Sequence, residues 1–88
     1  MLEKVLTIQN RLGIHARPAQ LLVETTSQFD SDVFLEKDGL EINAKSIMGV
    51  LMLAAIQGSQ INLRINGADE EDAFLALKQL FDNKFFED

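Results

Sequence analysis

The chain has 88 residues, 47% of them hydrophobic and 25% charged, with no cysteine and a formal net charge of −6. That composition fits one small folded domain with a modest core and excludes a disulfide framework. Seven of the fourteen acids lie within residues 69–88, so the acidity belongs to a C-terminal segment that reads as solvated surface; with no basic stripe, no Trp and no Tyr, a nucleic-acid-binding role has little support.

Residues 2–9 read as a strand, with Leu6 and Ile8 on one face and Val5 and Thr7 on the other. Asn10 to Ile14 form a loop, and a first helix is expected from Ala16 to about Gln28, since Ala16, Ala19, Leu22, Val23 and Thr26 recur at helical spacing. Asp32–Lys37 is a second strand; Asp38-Gly39 is a two-residue hairpin signal returning into a third at Leu40–Asn43. Ile47 to about Leu53 reads as a short apolar helix, broken by Gln57-Gly58-Ser59. In the fourth strand Ile61, Leu63 and Ile65 alternate with Asn62, Arg64 and Asn66, which marks one buried and one wet face. After Asn66-Gly67, Asp69 can cap a third helix whose stripe of Ala73, Phe74, Leu77, Leu80 and Phe81 faces a core.

The order β-α-β-β-α-β-α, with one-sided strands and amphipathic helices, predicts an α+β open-faced sandwich. An antiparallel sheet carries three helices on one face and leaves the other in water. No linker, repeat or low-complexity run divides it, so residues 1–88 are read as a single domain. The start, Met1-Leu2-Glu3-Lys4, lacks a basic-then-apolar signal pattern, and the longest apolar stretch, Gly49 to Ile56, is too short to span a bilayer. A cytoplasmic location is expected.

The only histidine, His15, stands in Gly13-Ile14-His15-Ala16-Arg17-Pro18. Proline is tolerated in the first helical turn, so His15 is placed at a helix N-terminus, where free N–H groups and the dipole favour an anion. A lone loop histidine is ordinarily a surface residue, but a turn glycine, His, Arg and helix-start Pro within six residues suggest a histidine that carries phosphate. Metal binding is not expected, since no cysteine, second histidine or suitably spaced carboxylate accompanies it. No nucleophile elbow is present either.

Ser46 precedes Ile47-Met48-Gly49-Val50-Leu51-Met52-Leu53 and is explained by an N-cap, worth about 1 kcal/mol over alanine. The same hydroxyl is also a candidate phosphorylation site, and the two readings are compatible. The helix behind it is too apolar to bury every side chain. Some of Ile47, Met48, Leu51 and Met52 should be exposed, either as a docking patch or under neighbouring loops.

Together, Gly13-Ile14-His15-Ala16-Arg17-Pro18-Ala19 and Lys45-Ser46-Ile47-Met48-Gly49 make the whole chain resemble HPr, the histidine-containing phosphocarrier family of the bacterial phosphoenolpyruvate-dependent phosphotransferase system. The resemblance implies a four-stranded sheet of order 1-4-2-3. It also implies that His15 accepts phosphate on Nδ1 from phosphorylated enzyme I and passes it to enzyme IIA domains. Arg17 would neutralise phosphate charge, and the N–H groups of Ala16 and Arg17 would complete the cradle. Ser46 matches the regulatory site modified by HPr kinase/phosphorylase in many bacteria, where phosphoserine slows acceptance and recruits a transcriptional regulator. Ile47, Met48 and Leu51 match the partner-docking residues. The family needs no cofactor beyond these modifications and acts as a carrier, not a turnover catalyst, and the chain is expected to be monomeric. Leu12, Glu24 and Met52 depart from the commonest pattern and leave the preferred partner open. The alternative is an HPr-like regulatory module acting through Ser46 alone; proteins of that kind lack the histidine, whereas His15 and Arg17 are both here.

Overall fold

A computed structural model describes residues 1–87; Asp88, one acid of the C-terminal segment, lies outside the described residues. The elements are β1 (Leu2–Thr7), α1 (Ala16–Thr26), β2 (Asp32–Lys37), β3 (Leu40–Asn43), α2 (Ile47–Met52), β4 (Gln60–Asn66) and α3 (Glu70–Asp82). The four strands form one antiparallel sheet in the order β1-β4-β2-β3, as the family resemblance implies.

Register follows the alternation in the sequence. Leu6 pairs with Ile61, Leu35 with Leu63 and with Ile42, and Val33 with Ile65. All of these are buried and meet Leu22 of α1, Val50 of α2, and Ala73, Leu77, Leu80 and Phe81 of α3 in one core. The opposite face is polar: Arg64 lies over the Phe34 ring and donates to Glu41 at 2.9 Å, and Asn62 donates to Glu36. On the edge strand, Lys4 breaks the inward apolar row and reaches over the Phe74 ring. A charge pointing inward on an edge strand discourages further strand addition.

Helix ends differ from the expected ones. The first helix closes at Thr26, where the Thr26 hydroxyl donates to the Ala44 carbonyl at 2.8 Å, and Gln28 and Phe29 enter turn bonds to Thr25 and Thr26. Asp69 sits at the N-cap of α3 but makes no capping bond there. Its carboxylate instead accepts from the backbone N–H groups of Asp30 and Ser31, at 2.9 and 3.0 Å, and from the Ser31 hydroxyl. It thus ties the α1–β2 loop to the start of α3.

That tie carries a pH dependence. The Ser31 hydroxyl and the Asp30 N–H lower the Asp69 pKa below its ordinary value. A carboxyl depressed in the folded state stabilises the fold above its unfolded pKa, and that contribution is lost as pH falls through the lower folded value. Asp69→Asn should therefore lower thermal stability at neutral pH, and its deficit against wild type should shrink below about pH 4. Melting curves across that range check it; a deficit independent of pH contradicts the role assigned to the charge.

Candidate functional site

The loop before α1 is shaped by Gly13. Its φ of +70° is left-handed, and a Cβ placed there would lie 2.4 Å from the Ala55 carbonyl oxygen. Only glycine fits such an approach. The contact lets the Ile14 N–H donate to that same Ala55 oxygen at 2.9 Å, fixing the loop to the α2–β4 connection. The fully buried Asn10 closes the loop from within, its Nδ2 donating to the Gly13 carbonyl at 2.6 Å.

His15 follows as the N-cap of α1, in extended backbone conformation, with its carbonyl accepting the first helical bond from Ala19 at 2.9 Å. Its side chain makes no capping bond. Ala16, Arg17 and Pro18 form the first turn, whose N–H groups have no intrahelical acceptors and whose dipole is positive. Pro18 has no N–H to lose there, as the sequence predicts. Arg17 is exposed beside this terminus. A half-exposed imidazole, an exposed arginine and first-turn N–H groups thus share one helix start that a protein partner can reach. Two shallow hollows, along the open sheet face and by the β2–β3 turn, do not include His15.

Glu87, expected from the sequence to lie in solvated surface, joins this site. Glu87 reaches back across 72 residues to His15, its Oε1 and Oε2 lying 3.0 and 3.2 Å from Nε2. Glu87 Oε1 also accepts from Asn10 Nδ2 at 2.9 Å. The hydrogen bonds from His15 and Asn10 hold the Glu87 carboxyl below its usual range against partial burial, and the charges of His15 and Arg17 add to the effect. The acidic C-terminal segment is therefore not solvated throughout.

The route to Glu87 is a turn with Lys84, Phe85 and Phe86 at φ of 55°, 54° and 59°. Each non-glycine residue held there costs on the order of 1 kcal/mol. Burial of Phe85, whose ring meets Phe81 at a centroid distance of 5.0 Å, offsets this by about 2–3 kcal/mol. One signal was available in the sequence: Phe85 stands four residues beyond Phe81 and extends the buried stripe of α3.

Ser46 is the N-cap of α2, its Oγ accepting from the Gly49 N–H at 3.1 Å. Behind it Ile47, Met48 and Leu51 are exposed, Met48 by 70%, together with Met52 and Ile56. Only Val50 of α2 is buried. Because α1 packs on α2 and Gly13 abuts Ala55 and Ile56, this apolar surface adjoins the His15 loop, in which Leu12 is exposed. Among the described residues no group of three His, Cys, Asp or Glu side chains could share a metal ion, and no helix is long and apolar enough to cross a membrane.

Residues 2–83 match the family model described as the PTS HPr component phosphorylation site. The chain is 54% identical over 88 residues to a phosphocarrier protein HPr of Xylella fastidiosa, covering 100% of this chain and 99% of that protein. It is 47% identical over 77 residues to the HPr-like protein Crh of Halalkalibacterium halodurans, covering 88% of this chain and 92% of that protein. A crystal structure of HPr from Thermoanaerobacter tengcongensis superposes with a TM-score of 0.95 at 46% identity, covering 100% of this chain and 99% of that one.

Proposed function

Because the chain belongs to the HPr phosphocarrier family of the phosphotransferase system, we propose that His15 accepts a phosphoryl group from phosphorylated enzyme I and donates it to enzyme IIA domains. The observation that carries this reading is the placement of the imidazole at the N-terminus of α1 beside Arg17. Phosphoryl transfer asks little covalent chemistry of the protein beyond a placed nucleophile and charge stabilisation. The Nδ1 lone pair attacks phosphorus in line with the leaving group. Arg17 balances the equatorial oxygens, and the Ala16 and Arg17 N–H groups with the helix dipole hold the negative charge. The group then leaves by the reverse geometry to the next acceptor, so the chain is a covalent carrier and not a turnover catalyst. No cofactor is required, and the work is done in the cytoplasm by a monomer.

Docking is assigned to the apolar surface of Ile47, Met48 and Leu51, widened by Met52 and Leu12. Exposed methionines suit a surface that meets several partners in turn. Phosphoenolpyruvate-dependent labelling through enzyme I tests the carrier reading.

Ser46 is proposed as the regulatory site, its modification by HPr kinase/phosphorylase placing two negative charges on the docking face and offering a ligand to a transcriptional regulator. The exposed Ser46 cap beside the docking surface supports a regulatory role next to the carrier role. Aspartate is as good an N-cap as serine, so Ser46→Asp should keep the fold while slowing phosphate acceptance at His15 by roughly 10-fold through charge repulsion at the interface. Initial rates with enzyme I, read beside melting curves, check this; an unchanged rate removes the regulatory assignment.

A further inference from the structure

Glu87 takes no part in the acceptor chemistry assigned above to His15, Arg17 and the first-turn N–H groups, on which this inference rests. Glu87 places both carboxylate oxygens within hydrogen-bond reach of Nε2, 3.0 and 3.2 Å away. An exposed pair of this kind at a chain end is ordinarily of little consequence. Three features set this one apart. Asn10 is fully buried and donates at once to the Gly13 carbonyl and to Glu87, so its amide cannot flip without setting an oxygen against two acceptors. Its Oδ1 is buried with no partner among the described residues, the kind of group that calls for an explanation. The backbone leading to Glu87 runs through three consecutive left-handed residues anchored by buried Phe85, and strain of that kind collects at functional sites.

We propose that Glu87 is a positioning residue for phosphoryl acceptance. By taking the Nε2 hydrogen it holds the neutral imidazole in the tautomer whose lone pair is on Nδ1, and it then balances the positive charge that the ring gains on phosphorylation. An ionised carboxylate can only accept hydrogen bonds, so Nε2 must be the donor and Nδ1 must carry the free lone pair. The lowered pKa of Glu87 agrees with a carboxylate that stays ionised at neutral pH. In the transfer step the Nδ1 lone pair forms the new N–P bond while the donor's bond to phosphorus breaks, its electron pair remaining with the donor. No proton has to leave Nδ1. The ring becomes an N-phosphorylated imidazolium that still carries its Nε2 hydrogen, and Glu87 is already paired with it. Asn10 links this pair to Gly13, so the loop and the C-terminal turn orient one ring together.

The test uses the full 15N-labelled chain and its variants Glu87→Ala and Glu87→Gln, each first shown by circular dichroism to be folded. Long-range 1H–15N spectra of the imidazole, recorded where the ring is neutral, report the tautomer and the exchange of the Nε2 proton. Wild type should show a single Nε2–H tautomer with a protected proton. Glu87→Ala should expose that proton, admit the Nδ1–H tautomer and slow acceptance from phosphorylated enzyme I by roughly 10-fold. Glu87→Gln, which keeps an acceptor oxygen but no charge, should restore the tautomer and recover only part of the rate. An imidazole spectrum unchanged in Glu87→Ala, or a changed tautomer with an unchanged rate, overturns the proposal. Spectra that change as expected in a chain that takes no phosphate even as wild type keep the tautomer assignment and overturn the acceptor reading on which it rests.

Discussion

His15→Ala is expected to abolish phosphate acceptance from phosphorylated enzyme I while leaving the domain folded. His15 is the only histidine and the chain has no cysteine, so no other imidazole and no thiol can replace it as the nucleophile. The loss should be complete within detection, on the order of 10³-fold or more in rate. Stability should change little. The imidazole is half exposed and makes no capping bond, so among the described residues its hydrogen bonds with Glu87 are what is lost, and the core is untouched. Transfer from labelled phosphoenolpyruvate, read beside a melting curve, separates the two effects. Label that is retained and lost in acid would place the acceptor elsewhere and remove the mechanism.

The second large effect is expected at a residue with no side chain. Gly13→Ala forces a Cβ toward the Ala55 carbonyl oxygen, 2.4 Å away, and onto the Ile56 backbone at 2.9 Å, at a φ that alanine avoids. Both partners are main chain and cannot swing aside. Either the loop withdraws and loses the Ile14–Ala55 hydrogen bond, or the α2–β4 connection moves. The expected destabilisation is about 2 kcal/mol or more, lowering the melting temperature by roughly 10 °C. Since Gly13 also holds Asn10, and through it Glu87, residual folded protein should accept phosphate more slowly. A melting temperature within a degree or two of wild type would show that the loop is not clamped as described.

Strands β2 and β3 were legible residue by residue because Asp38-Gly39 fixes the hairpin and hence the register of its arms. The alternation of Ile61, Leu63 and Ile65 revealed β4 in the same way, since a half-buried strand must alternate. Around the candidate site, the local part was readable and the distant part was not. The glycine, His15, Arg17 and Pro18 announce a loop entering a helix within six residues, and Ser46 announces a cap. Glu87 belongs to the same patch but arrives from the far end of the chain through left-handed residues that are not glycine, a conformation no local propensity favours. Asp69 failed for a related reason. Its local chemistry suits a cap, yet two N–H groups and a hydroxyl from a loop 38 residues away outcompete the helix for its oxygens. Short-range pattern thus places elements and their starts, whereas tertiary hydrogen bonds decide where acidic side chains finally point.

The central claim is that this chain carries a phosphoryl group on His15, and intact mass tests it most directly. The wild-type chain is incubated with phosphoenolpyruvate and enzyme I, weighed, then treated briefly with acid and weighed again. A gain of one phosphoryl group that acid removes is the predicted result, because an N–P bond to imidazole hydrolyses in acid while a serine phosphate survives. No gain in demonstrably folded protein, or a gain that acid leaves in place, contradicts it.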